Sequence, residues 1–289
     1  MKNLAFIGLG TMGYPMAGHL AHRGFSLTVF NRSAGKAERW CLQHGGRSAA
    51  TPAAAAMAAD VVITCVGNDD DLRSVVLGEN GIAGRLGPGA ILLDHSTVSA
   101  ELSRELATTL ARRQVRFMDA PVSGGQEGAR KGQLSIMCGG DEATFARVTP
   151  ILDSYAKAAS LMGPVGAGQL TKMVNQICIA GLVEALAEGM HFAENAGLDL
   201  QKVIDALSQG AASSWQMLNR HKTMISGEYH HGFAVDWMRK DLAICLAEAR
   251  RLHIDLPVTD QVDKLYAEVQ AMGGGRWDTS SLLARLRRK

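Results

Sequence analysis

Residues 3–20, NLAFIGLGTMGYPMAGHL, decide how the first half of the chain folds. The apolar run LAFIG 4–8 reads as a buried strand, and a helical pattern covers 11–23. Between them Gly8-Leu9-Gly10-Thr11-Met12-Gly13 fits G-x-G-x-x-G. Gly8 permits the tight turn, Gly10 lets the backbone approach a pyrophosphate, and Gly13 lets helix and strand pack closely. The helix N-terminus behind the turn offers free N–H groups and positive potential to phosphates. A bare glycine motif is weak. This one opens the chain in the strand–turn–helix setting that a dinucleotide site needs.

The same alternation continues outward. Strands are expected at SLTVF 26–30, VVITCV 61–66, AILLD 90–94 and VRFMDA 115–120, with helices near 33–44, 69–77 and 99–112 and a short one in Ala-rich 53–59. Continuous apolar strands suit a parallel sheet covered on both faces. QLSIMCGG 133–140 and the helical 141–155 extend that architecture. The pattern changes at GPVGAG 163–168, and no convincing strand follows. The stretch 169–197 has almost no breakers until Asn195 and Gly197, so it reads as one helix about 40 Å long. It is apolar nearly all round, which predicts burial between domains or subunits. Further helices are expected at 198–210, 233–252 and 258–273. The fold class is therefore α/β: a doubly wound Rossmann sheet over 1–164 and an all-helical domain over 165–289, joined by the long helix.

Composition excludes other classes. The 289 residues are 47% hydrophobic and 20% charged, an ordinary globular balance rather than a disordered one. The net charge, 30 − 28 = +2, is spread along the chain and argues against a nucleic-acid surface. Five well-separated cysteines argue against a disulfide framework or a Cys-rich zinc site, and most should be reduced core residues of a cytoplasmic protein. The first residues are too short an apolar run for a signal segment, and no stretch is expected to approach the roughly 20 apolar residues of a membrane span.

Three further segments carry chemistry. Asn31-Arg32 stands where an acidic residue would bind an adenosine ribose, and a guanidinium suits a 2′-phosphate. NADP is expected there, with NAD as the alternative. DAPVSGG 119–125 sets the Ser123 hydroxyl beside Gly124 and Gly125, a plausible clamp for a carboxylate. In GAGQLTKMVNQ 166–176, Lys172 and Asn175 lie three apart and share a helix face. A lysine amid Leu170, Met173, Val174 and Ile177 is a usable proton donor or acceptor when burial lowers its pKa. No metal site is expected. His19 with His22, and His230 with His231, read as surface pairs.

Taken together, FIGLGTMGYPMA 6–17, DHSTVSA 94–100, DAPVSGGQEGARKGQL 119–134, GPVGAGQLTKMVNQ 163–176 and FAVDWMRKDL 233–242 resemble the β-hydroxyacid dehydrogenase family over nearly the whole chain. The family includes 3-hydroxyisobutyrate dehydrogenase, tartronate semialdehyde reductase and succinic semialdehyde/glyoxylate reductases. The resemblance implies hydride transfer between a nicotinamide and a small carboxylate-bearing aldehyde or hydroxy acid. It implies Lys172 as the general acid–base, Asn175 orienting it, and Ser123, Gly124 and Gly125 on the substrate carboxylate. Thr97 becomes a nicotinamide-side contact, and Val66, Gly67 and Asn68 border the cofactor. Lys240 becomes a cofactor contact, with Asp241 and Trp215 near the substrate pocket. Cys65-Val66-Gly67 departs from the proline-bearing turn frequent in the family. Imine reductases share the architecture but carry other residues at the lysine position, and a non-catalytic NADP-binding scaffold would not need Ser123, Lys172 and Asn175 together. The apolar long helix predicts a homodimer or homotetramer.

Overall fold

The computed structural model describes residues 2–288, which form two compact units dividing between Lys172 and Met173. In the first unit, among the described residues, nine strands make one sheet. β1 (Asn3–Ile7) lies between β2 (Ser26–Phe30) and β4 (Val61–Thr64), all parallel. The short β3 (Arg47–Ser48) edges β2, while β5 (Ile91–Asp94) and β6 (Arg116–Asp119) continue the parallel run beyond β4.

Side chains alternate across these strands. Leu4 and Phe6 point into a core with Leu20, Trp40, Ile63 and Tyr155. Ala5 and Ile7 point into the opposite core with Val62, Leu72, Leu92 and Leu106. Each large aliphatic or aromatic side chain buried this way stabilises by about 1.5–3 kcal/mol. Helices α1 (Gly13–His22), α2 (Ala34–His44), α3 (Pro52–Ala56), α4 (Asp69–Leu77) and α5 (Ala100–Ala111) connect the parallel strands. Thr51, Asn68 and Ser99 start the last three by accepting a backbone N–H with their side chains.

The far edge departs from the sequence reading. β7 (Val122–Ser123) and β8 (Leu134–Gly139) flank α6 (Gly125–Lys131), and β8 runs antiparallel to β6 and β7. α7 (Glu142–Leu152) then returns the chain to β9 (Ala156–Gly163), which lies parallel to β8. β9 escapes a periodicity reading because its sequence, AKAASLMG, has no apolar run and its residues are only half-buried or exposed.

α8 (Ala167–Asn195) is one 29-residue helix through which the division between the units passes. The sequence reading puts its boundary earlier, in the turn after β9. α8 is also long and apolar enough, by length and composition alone, to meet the requirement for a membrane span. The sequence reading misses this because Lys172, Asn175, Gln176 and Glu184 interrupt the run. Nor is α8 buried all round, since Val174, Leu182 and Phe192 are exposed on the chain.

In the second unit α9 (Leu200–Leu207), α10 (Trp215–Ser226), α11 (Val235–Arg251), α12 (Pro257–Ala271) and α13 (Leu282–Arg287) enclose Val183, Met190, Met238, Leu242, Tyr266 and Leu282. α10 and α13 are absent from the sequence reading. Asp278, buried, accepts the Phe233 N–H and the Ser280 hydroxyl and so fixes the turn that leads into α13. None of the five cysteines forms a disulfide among the described residues; Cys138 and Cys245 are buried, whereas Cys178 is exposed.

The glycines of the first turn play different parts. A Cβ on Gly13 would stand 2.0 Å from the Gly8 carbonyl oxygen and 2.9 Å from the Phe6 ring, whereas one on Gly10 would meet nothing within 4 Å. Gly13→Ala is therefore expected to cost about 1–3 kcal/mol of stability through overpacking. Gly10→Ala should stay within about 0.5 kcal/mol of the parent. Thermal denaturation of the two variants side by side checks this contrast.

Candidate active site

The turn between β1 and α1 has the geometry of a phosphate cradle. Gly8 adopts φ +99° and donates its N–H to the Phe30 carbonyl, which ties the turn to the end of β2. No side chain caps α1 and no acidic residue occupies its first turn, so its leading N–H groups face no internal anion. The open side of Gly10 leaves room for a pyrophosphate, so the residues present fit a dinucleotide. Leu9, Gly10 and Thr11 also line a groove of about 510 Å³ that Lys36 enters from α2.

Neighbouring side chains are partly committed to holding this turn. Asn31 accepts the Leu9 N–H at 2.9 Å and donates to the Ser33 carbonyl at 3.2 Å. Asn68 caps α4 by accepting the Asp71 N–H at 2.8 Å. Both residues stand beside the expected cofactor, but their side chains shape its loops. Arg32 is 87% exposed and its guanidinium reaches Asp71 at 3.2 Å. Val66 donates its N–H to the Ser96 hydroxyl at 2.9 Å, joining the Val66–Gly67–Asn68 turn to the segment that carries Thr97.

At the ends of β5 and β6 lies a buried polar layer that the sequence reading misses. Asp119 is fully buried and accepts the N–H groups of Gly166 at 2.7 Å and Gln169 at 2.9 Å. It thus holds the start of α8, and Lys172 follows within that helix, 8% exposed. Gly168 makes this approach possible, because a Cβ there would come within 2.3 Å of the Met137 carbonyl oxygen. His95 is buried as well. Its Nδ1–H donates to the Ala120 carbonyl at 2.6 Å, and its Nε2 accepts the Tyr155 hydroxyl at 2.8 Å. Burial lowers the imidazole pKa to about 4, so this ring is neutral near pH 7. Ser123 ends β7, and Gly124 and Gly125 follow at φ +131° and +61°, a left-handed pair that side chains would strain.

The remaining predicted residues belong to the second unit. Asn175 donates to Gln176 Oε1 at 2.7 Å, and Gln176 donates to Asp241 Oδ2 at 2.6 Å. Lys240 pairs with Asp241 Oδ1 at 2.8 Å. The structure thus brings Asn175, Lys240 and Asp241 into one chain through Gln176, which the sequence reading passes over. Trp215 opens α10, half-exposed, with the Arg220 guanidinium 5.0 Å over its ring. The histidine readings need one correction. His19 is half-buried and its Nε2 lies 3.0 Å from the carbonyls of both Ala129 and Arg130, linking α1 to α6. Among the described residues no group of three His, Cys, Asp or Glu side chains is placed to hold a metal ion.

Known proteins share this architecture. Residues 3–166 match the family described as the NAD-binding domain of 6-phosphogluconate dehydrogenase. Residues 166–286 match the NAD-binding family of NADP-dependent 3-hydroxyisobutyrate dehydrogenase. An uncharacterized oxidoreductase of Shewanella frigidimarina is 61% identical, covering 99% of this chain and 98% of its own length. The 2-hydroxy-3-oxopropionate reductase of Escherichia coli is 37% identical over 98% of this chain and 96% of its own. Among solved structures, Mycobacterium tuberculosis 3-hydroxyisobutyrate dehydrogenase with L-serine superposes with a TM-score of 0.89 at 28% identity, covering 99% of each chain.

The buried layer also makes stability depend on pH. Burial pushes the Asp94 carboxyl up to about 7 and Asp119 to about 6, and the Asp119 charge adds to the penalty on Asp94 and on nearby Cys138. Thr64 and the Ser96 N–H both bond Asp94 Oδ1, while its buried Oδ2 has no hydrogen-bond partner among the described residues. The unfolded chain ionises Asp94 near pH 4 and the folded chain only near 7, so stability falls as pH rises through that window and is flat above it. The loss is of order 4 kcal/mol for this one group. Asp94→Asn is expected to remove the slope between pH 6 and 7 and to leave the share that Asp119 contributes between pH 4 and 6, read from denaturant midpoints against pH.

Proposed function

The chain belongs to the β-hydroxyacid dehydrogenase family, and on that premise we propose that it interconverts a small β-hydroxy acid and its semialdehyde, with NADP preferred. One observation carries the reading: Lys172 is nearly buried in the helix whose first N–H groups are held by Asp119, four residues before Ser123. The bound nicotinamide supplies or accepts the hydride at its C4. In the reductive direction, Lys172 as ammonium donates to the aldehyde oxygen and protonates the alkoxide that develops. In oxidation the neutral amine takes the hydroxyl proton. Ser123 and the Gly124 and Gly125 amides hold the substrate carboxylate, which orients the reacting carbon. Asn175 steadies the lysine end, and Asp241 and Trp215 border the substrate. Thr97, Lys240 and the Val66–Gly67–Asn68 turn flank the cofactor.

Cofactor preference follows from charge. β2 is followed by Asn31-Arg32 with no acidic residue to bind a ribose hydroxyl; Arg32 precedes α2, and Lys36 in the first turn of α2 lines the groove beside the glycine turn. A 2′-phosphate would compete with Asp71 for Arg32 and gain a charge-assisted fork. The exposed row Val174, Leu182 and Phe192 on α8 supports burial against a second copy, as a homodimer or homotetramer.

The test is NADPH and NADH oxidation, followed by nicotinamide absorbance, against methylmalonate, tartronate and succinate semialdehydes and glyoxylate. We expect turnover with at least one of them and a preference for NADPH. Lys172→Ala should lower kcat about 10²- to 10⁴-fold while NADPH affinity changes little. Arg32→Asp should weaken NADPH about 10- to 100-fold relative to NADH. Full turnover in Lys172→Ala would remove the lysine from the proton transfer.

A further inference from the structure

Gln169 sits in the first turn of α8, 1% exposed, and every polar group it has is used. Its backbone N–H goes to Asp119 Oδ2. Its side-chain Oε1 accepts the Val98 N–H at 3.2 Å, and its Nε2 donates to the Ser96 carbonyl at 2.8 Å. One amide side chain therefore grips both neighbours of Thr97. The circuit closes through the strand ends: Asp119 precedes Ala120, whose carbonyl is held by His95, and His95 precedes Ser96. Three segments meet in this circuit, and each carries one proposed site group: Thr97, Ser123 and Lys172. Lys172 lies three residues beyond Gln169, about 4.5 Å of helix rise.

We propose that Gln169 is a positioning residue that fixes the start of α8 against the Thr97 loop and so sets the position of the Lys172 ammonium relative to the cofactor's nicotinamide. The inference rests on the roles given above to Lys172 and Thr97. Glutamine suits the task because the clip needs one acceptor and one donor at the tip of an uncharged side chain. Methionine keeps the volume and loses both bonds. Glutamate keeps the shape, but as a carboxylate it can only accept and would face the Ser96 carbonyl. Protonated, it again offers one donor and one acceptor. The titratable or charged groups around the clip are Asp94, Asp119, Cys138 and neutral His95 at the strand ends, Tyr155 on His95, Asp69 of α4 on Ser99, Arg104 of α5 beside Gly166, and Lys172. The two aspartates disfavour a third carboxylate there.

The experiment uses the full chain with Gln169→Met and Gln169→Glu. In the cofactor-free protein, amide hydrogen exchange of Gln169→Met should rise at 96–98 and 166–172 while β1, β4 and β5 keep their protection. With NADPH and the substrate found by the semialdehyde panel, kcat should fall about 10- to 100-fold, the cost of a misplaced reacting group, with NADPH affinity within about threefold. The isotope effect from NADPH deuterated at C4 should increase, because hydride transfer becomes the slow step. A variant that merely folds less well loses kcat with the isotope effect unchanged. Gln169→Glu should approach parental turnover on the acid side and lose it as pH rises, at lower pH than the alkaline limb that loss of the Lys172 ammonium gives the parent. Unchanged exchange at 96–98 in Gln169→Met, or parental kcat with an unchanged isotope effect, overturns the proposal. If the parent itself turns over none of the semialdehydes, the functional reading fails, and the exchange measurement still decides whether Gln169 is the clip.

Discussion

A single buried carboxylate organises the end of the first unit from which α8 departs. Taking Asp119 out of water costs several kcal/mol, and the ordinary remedy is a cation or a neutralising proton. Here the remedy is a helix start. The N–H groups of Gly166 and Gln169, and that of Gly168, converge on its two oxygens, and the helix dipole adds roughly half a positive charge. The arrangement works only because the neighbours are small. A Cβ on Gly139 would stand 2.5 Å from Asp119 Oδ1, and one on Gly168 would stand 2.8 Å from Oδ2. This is also why the first turn of α8 belongs to the compact unit of the sheet although the helix itself runs on.

How much of this was legible in the sequence depended on how local the cause was. β1, β2, β4, β5 and β6 follow from apolar runs with both faces covered, and α8 from a long stretch without breakers. β7 has two residues and β9 an Ala-rich, half-exposed sequence, so neither carries a periodic signal; pairing with β8 creates them. α6 starts from Gly124 without a side-chain cap, and α10 hides behind the ambiguous AASSW, although Ser214 caps it. The antiparallel insertion of β8 follows from topology, which no window of residues reports.

The candidate site divides in the same way. Ser123, Lys172 and Asn175 stand out because polar groups in glycine-rich or apolar settings need a reason. Asn31 stands out by its place after β2 and Asn68 only through the family resemblance, and their side chains hold the backbone of the cofactor turns. Asp119, Gln169 and Gln176 did not stand out, although Asp119 opens the same DAPVSGG segment as Ser123. Their importance lies in partners 47 to 73 positions away. A buried-side reading of each motif would have flagged Asp119, since a carboxylate at the inner end of an apolar strand needs donors from elsewhere.

The unequal crowding around the glycines of the first turn bears on how such sequences diverge. Gly8 and Gly13 answer to the chain's own atoms: a Cβ on Gly8 would stand 2.3 Å from the Cys65 carbonyl oxygen, and one on Gly13 closer still to Gly8 itself. Gly10 answers to nothing inside the protein. Selection for a folded domain would preserve the outer two even in a lineage that had abandoned its coenzyme, and would let the middle one drift. A descendant that kept the first and third glycines but filled the second would mark a fold that had outlived its chemistry.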